Sequence, residues 1–521
     1  MKKLVTVSLI VVMLMCLLCG CGGATNQVTS SSNGTTASSG NAGEISAAQA
    51  ANEITVGIPN DLDSLDPYLM AAAGTREVML NVYEGLVKPN SAGEYVCAVA
   101  EKYEVSDDGL VYTFTIRDGV KFHNGQTVTP EDVLYSFEKC AATTFNSAVA
   151  TALSVIESVD AKDNAVVVTL SAPNSDFIAC VSAVYIIPAG YEDCATQPVG
   201  TGPFKFISRS VQESAVIERN DDYYGTKALL NRGNYRVYED NNARITALNA
   251  GTIDVFNHLT IDEINTLTNG YNVLSDNMNL VAALYLNNKV APFDNEQVRK
   301  ALNYAINVDD VIAIGTGGYG TKVGTSMYPN FTKYYEPELA DAYAYDPDMA
   351  KQLLREAGYE NGFSFSITVP SNYAHPYGDI AQVLIEQLAQ VGITASIEWV
   401  DWSTWLSDTY QGRNFETTIT GFTANILTAS ALLQRFTSDS STNMINYNNP
   451  EYDKTFAAAQ ACVDDEEQTA LYKQCLRMLS DTAANVYLMD LGEFVVINPA
   501  LDGYTFYPMY MQDVSTIHYK G

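Results

Sequence analysis

From Ile54 onward the apolar residues repeatedly change period along the chain, and this alternation limits the fold more than any other feature. In Tyr112-Thr113-Phe114-Thr115-Ile116-Arg117, large apolar and polar residues alternate with the two-residue repeat of a half-buried strand. Asp118-Gly119 follows with turn chemistry, so this strand is expected to enter a hairpin. Phe363, Phe365, Ile367 and Val369 alternate in the same way. Helical spacing takes over between such stretches. Asp294 is placed to cap a helix from Asn295 to Ile306, with Gln297 three residues on and Val298, Ala301, Leu302, Ala305 and Ile306 along one face. Asp346-Pro347 opens another, in which Leu353, Leu354 and Ala357 form the buried stripe and Gly358 stops the helix. A third is expected from Gly378 to Val391, ending at Gly392. Interleaved periods of this kind predict mixed α/β lobes, not a bundle or an all-β repeat. About 470 residues carry the pattern, too many for one small core, so two or three lobes are expected.

The first residues have a different character. Lys2 and Lys3 precede an apolar run from Leu4 to Leu18, broken only by Thr6 and Ser8 and short for a membrane span. Residues 1–20 are therefore expected to be a signal peptide. Leu18-Cys19-Gly20-Cys21 resembles the bacterial lipobox, and cleavage before Cys21 would leave that residue as the lipidated N-terminus. An ordinary secretory signal is the plainer alternative. Residues 21–51 are almost entirely Ser, Thr, Gly, Asn, Ala and Gln, with Glu44 the one charge, a composition expected to form a disordered tether. Thirty such residues would reach on the order of 30 Å. A lipid anchor and a tether together describe a protein held at the outer face of a membrane.

Charge and motifs exclude several functions. With 61 acidic residues against 29 basic ones, the net charge of −32 repels phosphate backbones, so no nucleic-acid partner is expected. His123, His258, His375 and His518 show no metal-ligand spacing, and no metal or cofactor is expected. The chain carries no Gly-x-Ser-x-Gly elbow, no His-Glu-x-x-His helix, no Walker lysine loop and no dinucleotide glycine fingerprint, and it is not expected to be an enzyme. Besides Cys21, the mature chain has Cys97, Cys140, Cys180, Cys194, Cys462 and Cys475, for which disulfides and buried thiols are both open.

Aromatic residues point to binding. There are 33 tyrosines, 18 phenylalanines and three tryptophans, and all three tryptophans lie in Trp399-Val400-Asp401-Trp402-Ser403-Thr404-Trp405. Such rings combine an apolar body with a polar tip, as ligand clefts require. Trp399, in phase with Ala395 and Ile397, is expected in the core; Trp402 and Trp405, past the strand end, suit cleft or core equally.

Several phrases, taken in order, resemble the family 5 extracellular solute-binding proteins, which serve oligopeptide, dipeptide and nickel importers. They begin with Leu62-Asp63-Ser64-Leu65-Asp66-Pro67, Asn81-Val82-Tyr83-Glu84-Gly85-Leu86-Val87, Asp107-Asp108-Gly109-Leu110, the segment from Phe114 to Gly125, and Thr129-Pro130-Glu131-Asp132-Val133. Later come Pro198-Val199-Gly200-Thr201-Gly202-Pro203-Phe204, Arg219-Asn220-Asp221-Asp222-Tyr223-Tyr224, Ala250-Gly251-Thr252-Ile253-Asp254, Val298-Arg299-Lys300-Ala301-Leu302 and Tyr345-Asp346-Pro347. The resemblance implies an α/β fold of the type II periplasmic-binding-protein kind, with two lobes closing over a ligand and an extra domain inserted in the first. Residues 52–88, 198–287 and 497–521 would build lobe I, 89–197 the extra domain and 288–496 lobe II, with rotation near Val199 to Pro203 and around Asn287.

By the same resemblance the chain would be the substrate-binding lipoprotein of an ABC importer, a monomer delivering a small solute, foremost a peptide, to permease subunits driven by cytoplasmic ATPases. A surface receptor that senses peptide without import is the alternative from another class. Trp402, Phe422 and Asn425 are expected to line one wall of the cleft, and Gly74, Thr75 and Tyr285 the other. Asn425 stands where peptide-binding relatives carry an aspartate that pairs with the peptide's α-amino group. That exchange opens a further alternative, a pocket for a neutral ligand such as an end-blocked peptide or an oligosaccharide.

Overall fold

A computed structural model describes residues 51–70, 72–143, 147–424 and 426–521. The expected signal peptide, Cys21 and nearly all of the tether lie outside the described residues, as does Asn425. Among the described residues, eleven strands form one mixed sheet. From one edge its order is Thr394–Val400, Ser364–Pro370, Thr417–Phe422, Asn272–Leu286, Val486–Ile497, Val255–Phe256, Glu53–Ile58, Arg232–Val237, Ser214–Arg219 and Phe204–Ser210. The short strand Gly320–Lys322 pairs beside Val486–Ile497. A separate four-stranded antiparallel sheet runs Ala100–Val105, Val111–Ile116, Ala165–Leu170 and Ile156–Lys162. No helix among the described residues is long and apolar enough to cross a membrane.

The two long strands of the main sheet serve two cores. Asn272 to Asn277 pair with Ile497 to Gly492, whereas Val281 to Leu284 pair with Asp490 to Val486, and the register breaks in between. Asn279 lies in the break with φ +57°, a left-handed conformation that asparagine tolerates better than most residues. Val495 and Ile497 pack with Ile54, Val56 and Tyr235 in a first core. Leu284, Leu286, Val486 and Leu488 belong to a second core, so the transition falls within the strands, upstream of Asn287.

In the second core, helices Glu296–Ala305, Pro347–Glu356 and Asp379–Ala389 press Leu302, Leu354 and Leu384 against Ile367 and Ile419 of the sheet. On the opposite face, helices Pro450–Ala461 and Asp465–Asp481 bury Tyr452, Phe456, Tyr472 and Leu476 with Tyr285. These helices start and stop largely as their spacing predicts. Asp346 accepts hydrogen bonds from the Asp348 and Met349 amides, and Gly358 and Gly392 supply positive φ at +87° and +86° after the helix ends. The earlier helix is capped by Asn295, which accepts from the Gln297 amide, rather than by Asp294.

Three other local expectations meet different outcomes. Val111–Ile116 forms its hairpin with the preceding strand, through a turn at Gly109 with φ +68°. Its second edge is taken by Ala165–Leu170, so Asp118-Gly119 leads instead to a Lys121–Thr127 bridge and helix Pro130–Thr143. Trp399 is 49% exposed, not in the core, because Thr394–Val400 is the last strand of the sheet. Among the described residues no cysteine pair forms a disulfide, and Cys140, Cys180, Cys194 and Cys475 are buried.

Candidate functional site

A connected series of aromatic rings leads from Tyr377 in the second core to Tyr410 and Phe422, which pack against the cluster on the opposite face of the sheet. Asp401 caps the short helix Trp402–Thr404, accepting from the Thr404 amide at 3.0 Å and the Thr404 hydroxyl at 2.7 Å. The hydroxyls of Ser403 and Thr404, followed by the Thr404 amide, hold the Asp401 carboxyl well below the usual carboxylate range. The next turn, Trp405–Gln411, widens to π-helical spacing. Trp402 and Trp405 are three apart on the tight turn and stack at 5.1 Å and 12°, while Trp405 and Tyr410, five apart on the wide turn, stack at 5.8 Å. Tyr373 meets Trp402 at 5.6 Å, Tyr377 meets Tyr373 at 5.7 Å, and Tyr410 reaches Phe422 at 6.1 Å.

The two tryptophans have different roles. Trp405 is 2% exposed, and its indole N–H donates to Thr418 Oγ1 at 3.0 Å; that hydroxyl donates to the Thr368 carbonyl at 2.7 Å. Trp405 is thereby fixed on the sheet. Trp402 is 42% exposed and presents its ring outward from this support.

Phe422 ends strand Thr417–Phe422 opposite Val281. Tyr285 stands opposite Thr418, leans back until its hydroxyl donates to the Val281 carbonyl at 3.3 Å, and so meets Phe422 edge-on at 5.2 Å. Tyr285, expected across the cleft from Phe422, is instead its buried neighbour. A Cβ on Gly421 would come 1.9 Å from Leu280 Cδ2 and 2.7 Å from Tyr377 Oη, so only glycine permits this packing.

Gly74 and Thr75 lie on helix Ala73–Met79 of the first core. A Cβ on Gly74 would meet open space, whereas Thr75 is buried and its hydroxyl accepts from the Asp63 amide at 2.9 Å. Farther along the same helix, Glu77 reaches His258 Nε2 at 2.9 Å, and Glu493 lies 2.8 Å from His258 Nδ1. Burial opposes the charge on His258, but the two carboxylates prevail and raise its pKa well above the ordinary value. Tyr510 stacks on His258 at 5.2 Å, and burial pushes its own hydroxyl up to about 12, with Tyr373 among the neighbours that add to the shift. Tyr510 thus connects the Glu77–His258–Glu493 group to Tyr373 and Tyr377 of the aromatic series. Sequence reasoning missed them, and it missed Tyr373, Tyr377 and Tyr410, whose alignment depends on irregular turns.

The segment after Phe422 joins two of these clusters. Ile426 packs in the first core and Leu427 with Tyr285 and Tyr452 on the opposite face of the sheet from the second. The Leu427 amide donates to Tyr95 Oη at 2.8 Å, and Tyr472 donates to Asp176 Oδ2 at 3.3 Å.

The family model for bacterial extracellular solute-binding proteins, family 5 Middle, matches residues 94–444. The chain is 30% identical over 460 residues to heme-binding protein A of Haemophilus influenzae, covering 78% of this chain and 81% of that protein. It is 28% identical over 453 residues to glutathione-binding protein GsiB of Pectobacterium atrosepticum, covering 81% of this chain and 86% of that one. Among solved structures it resembles the ABC transporter-associated periplasmic binding protein DppA of Helicobacter pylori, in complex with the peptide STSA. That likeness has a TM-score of 0.72 at 28% identity and covers 90% of this chain and 98% of the other. With this match over most of its length and a two-lobed α/β architecture, the chain belongs to the bacterial extracellular solute-binding proteins of family 5.

Proposed function

We propose that this protein captures a peptide-class solute outside the cell and delivers it, chemically unchanged, to the permease of an ABC importer. The observation that carries this is the aromatic wall from Tyr377 through Trp402 to Phe422, with the rings of Tyr373 and Trp402 exposed. The relatives named for glutathione and solved with the peptide STSA support a peptide-like ligand.

In this reading residues 52–88, 198–287 and 497–521 form lobe I with 89–197 as its extra domain, and 288–496 form lobe II. Closure bends the two long strands near Asn279, where their register breaks. Trp402, Phe422 and Asn425 line one wall and Gly74 the other, while Thr75 and Tyr285 brace them from behind. The protein acts as a monomer, held at the membrane through acylated Cys21.

The test is calorimetric titration with short peptides, alongside native mass spectrometry of the purified protein. Micromolar or tighter peptide binding, with no hydrolysis product, is the expected result. A retained compound that is not a peptide, together with no peptide binding, would replace this cargo assignment.

A further inference from the structure

One buried guanidinium stands apart from the others of this chain in how its nitrogens are satisfied. Arg435 stacks on Phe422, its guanidinium carbon 3.7 Å from the ring centroid. Its Nε and Nη1 are buried and have no hydrogen-bond partner. Other arginines are satisfied differently: Arg299 donates to the carbonyls of Phe293, Thr482 and Ala483, and Arg209 pairs with Asp61. Although the chain has 61 acidic residues, no ion pair among the described residues includes Arg435. Burying a charged fork against an aromatic ring without acceptors is costly, and the cation–π contact offsets only part of that. One residue past Phe422, Thr423 Oγ1 is likewise buried without a partner. Unsatisfied groups of this kind, at the end of the aromatic wall, match a ligand that brings its own acceptors.

We propose that Arg435 is the specificity-determining anchor for a carboxylate on the solute, the C-terminal carboxylate in the case of a peptide. This rests on the chain being the solute-binding protein described above. A planar guanidinium suits a carboxylate better than any other side chain, and it gives an anion a local foothold against the repulsion of the net charge of −32.

The probe is the peptide Ser-Thr-Ser-Ala, as free acid and as C-terminal amide, titrated calorimetrically into wild type, R435M and R435K. R435M keeps an apolar stem over Phe422 and removes the charge. Amidation should weaken binding to wild type about ten- to a hundredfold, and R435M should bind both forms equally at the weaker level. R435K should fall between. Equal binding of acid and amide by wild type, or discrimination that survives in R435M, overturns the proposal. If wild type binds neither form, the peptide reading fails separately, and the compound found by native mass spectrometry decides about Arg435. An acid lost from R435M supports the anchor; a neutral compound retained by R435M overturns it. Ligand-free melting provides an independent readout: R435M should melt no lower than wild type, and a clear drop would make Arg435 structural and overturn the proposal.

Discussion

Replacing each of the stacked tryptophans in turn separates support from binding. Trp405 is almost fully buried, stacked on both sides and hydrogen-bonded to Thr418, so Trp405→Ala should cost about 3–5 kcal/mol. Trp405→Phe keeps most of the packing but loses the indole N–H bond, about 1 kcal/mol, together with part of the ring. Trp402 leaves 42% of its surface in solvent, so Trp402→Ala removes roughly half a buried aromatic with one stacked and one edge-on ring contact, about 1–2 kcal/mol. Native-state hydrogen exchange at the amides of Thr417–Phe422 reports the stability term, and titration with the bound solute reports affinity. W405A should speed exchange in that strand by about a hundredfold or more, whereas W402A should speed it only about five- to thirtyfold and weaken binding about tenfold. If W402A destabilises the strand as much as W405A, or W405A leaves exchange untouched, the division into outer face and inner support is wrong.

Gly421→Ala would drive a methyl group into Leu280 and the Tyr377 hydroxyl, and should cost about 1–3 kcal/mol in urea unfolding while disturbing the bend between the cores. Unchanged stability would mean that Leu280 has room to move. His258 has a folded pKa above its unfolded value of about 6.5, so its ion pairs contribute fully below that pH and are lost as pH rises through the folded pKa. The stability gap between wild type and H258Q should therefore be widest at mildly acidic pH and narrow on the alkaline side, as read from urea midpoints. Asp490 is buried, accepts from the Leu280 amide with one oxygen and leaves the other unpaired, and its pKa is raised well above the usual carboxylate range by burial. Its contribution is complete below about pH 3.9 and declines as pH rises toward the folded pKa, so D490N should lack that decline and be at least as stable at neutral pH.

What could be read from the sequence follows from how local each signal is. The Asp346-Pro347 start and the glycines that end two helices act within a few residues, and they fall where their chemistry predicts. The hairpin expected after Ile116 failed because a turn signal says nothing about which strand already occupies the neighbouring edge. Trp399 misled for a related reason: alternation predicts a buried face only when the strand has layers over it, and an edge position is set by topology. Within the site, Trp402 was legible as an aromatic past a strand end, and Phe422 only through the family resemblance. Tyr410 depended on a π-helical turn, and Glu77, His258 and Tyr510 on contacts between segments hundreds of residues apart, which no local pattern encodes.

The main sheet also dictates the order in which this polypeptide can finish folding. Its first strand, Glu53–Ile58, lies between Arg232–Val237 and Val255–Phe256, and the latter's other neighbour is Val486–Ile497 near the end of the chain. The C-terminus closes the loop: Asn81 bonds Gln512 and Val514, and the Tyr519 hydroxyl donates to the Glu53 carbonyl. Strand Glu53–Ile58 therefore waits for partners as far as 466 residues downstream, and a ribosome must have passed those residues before that half of the molecule can close. Removing residues 512–521 would strip the C-terminal bonds from Asn81 and Glu53 while leaving both strand neighbours of Glu53–Ile58 in place, so this edge of the half should loosen before its sheet does.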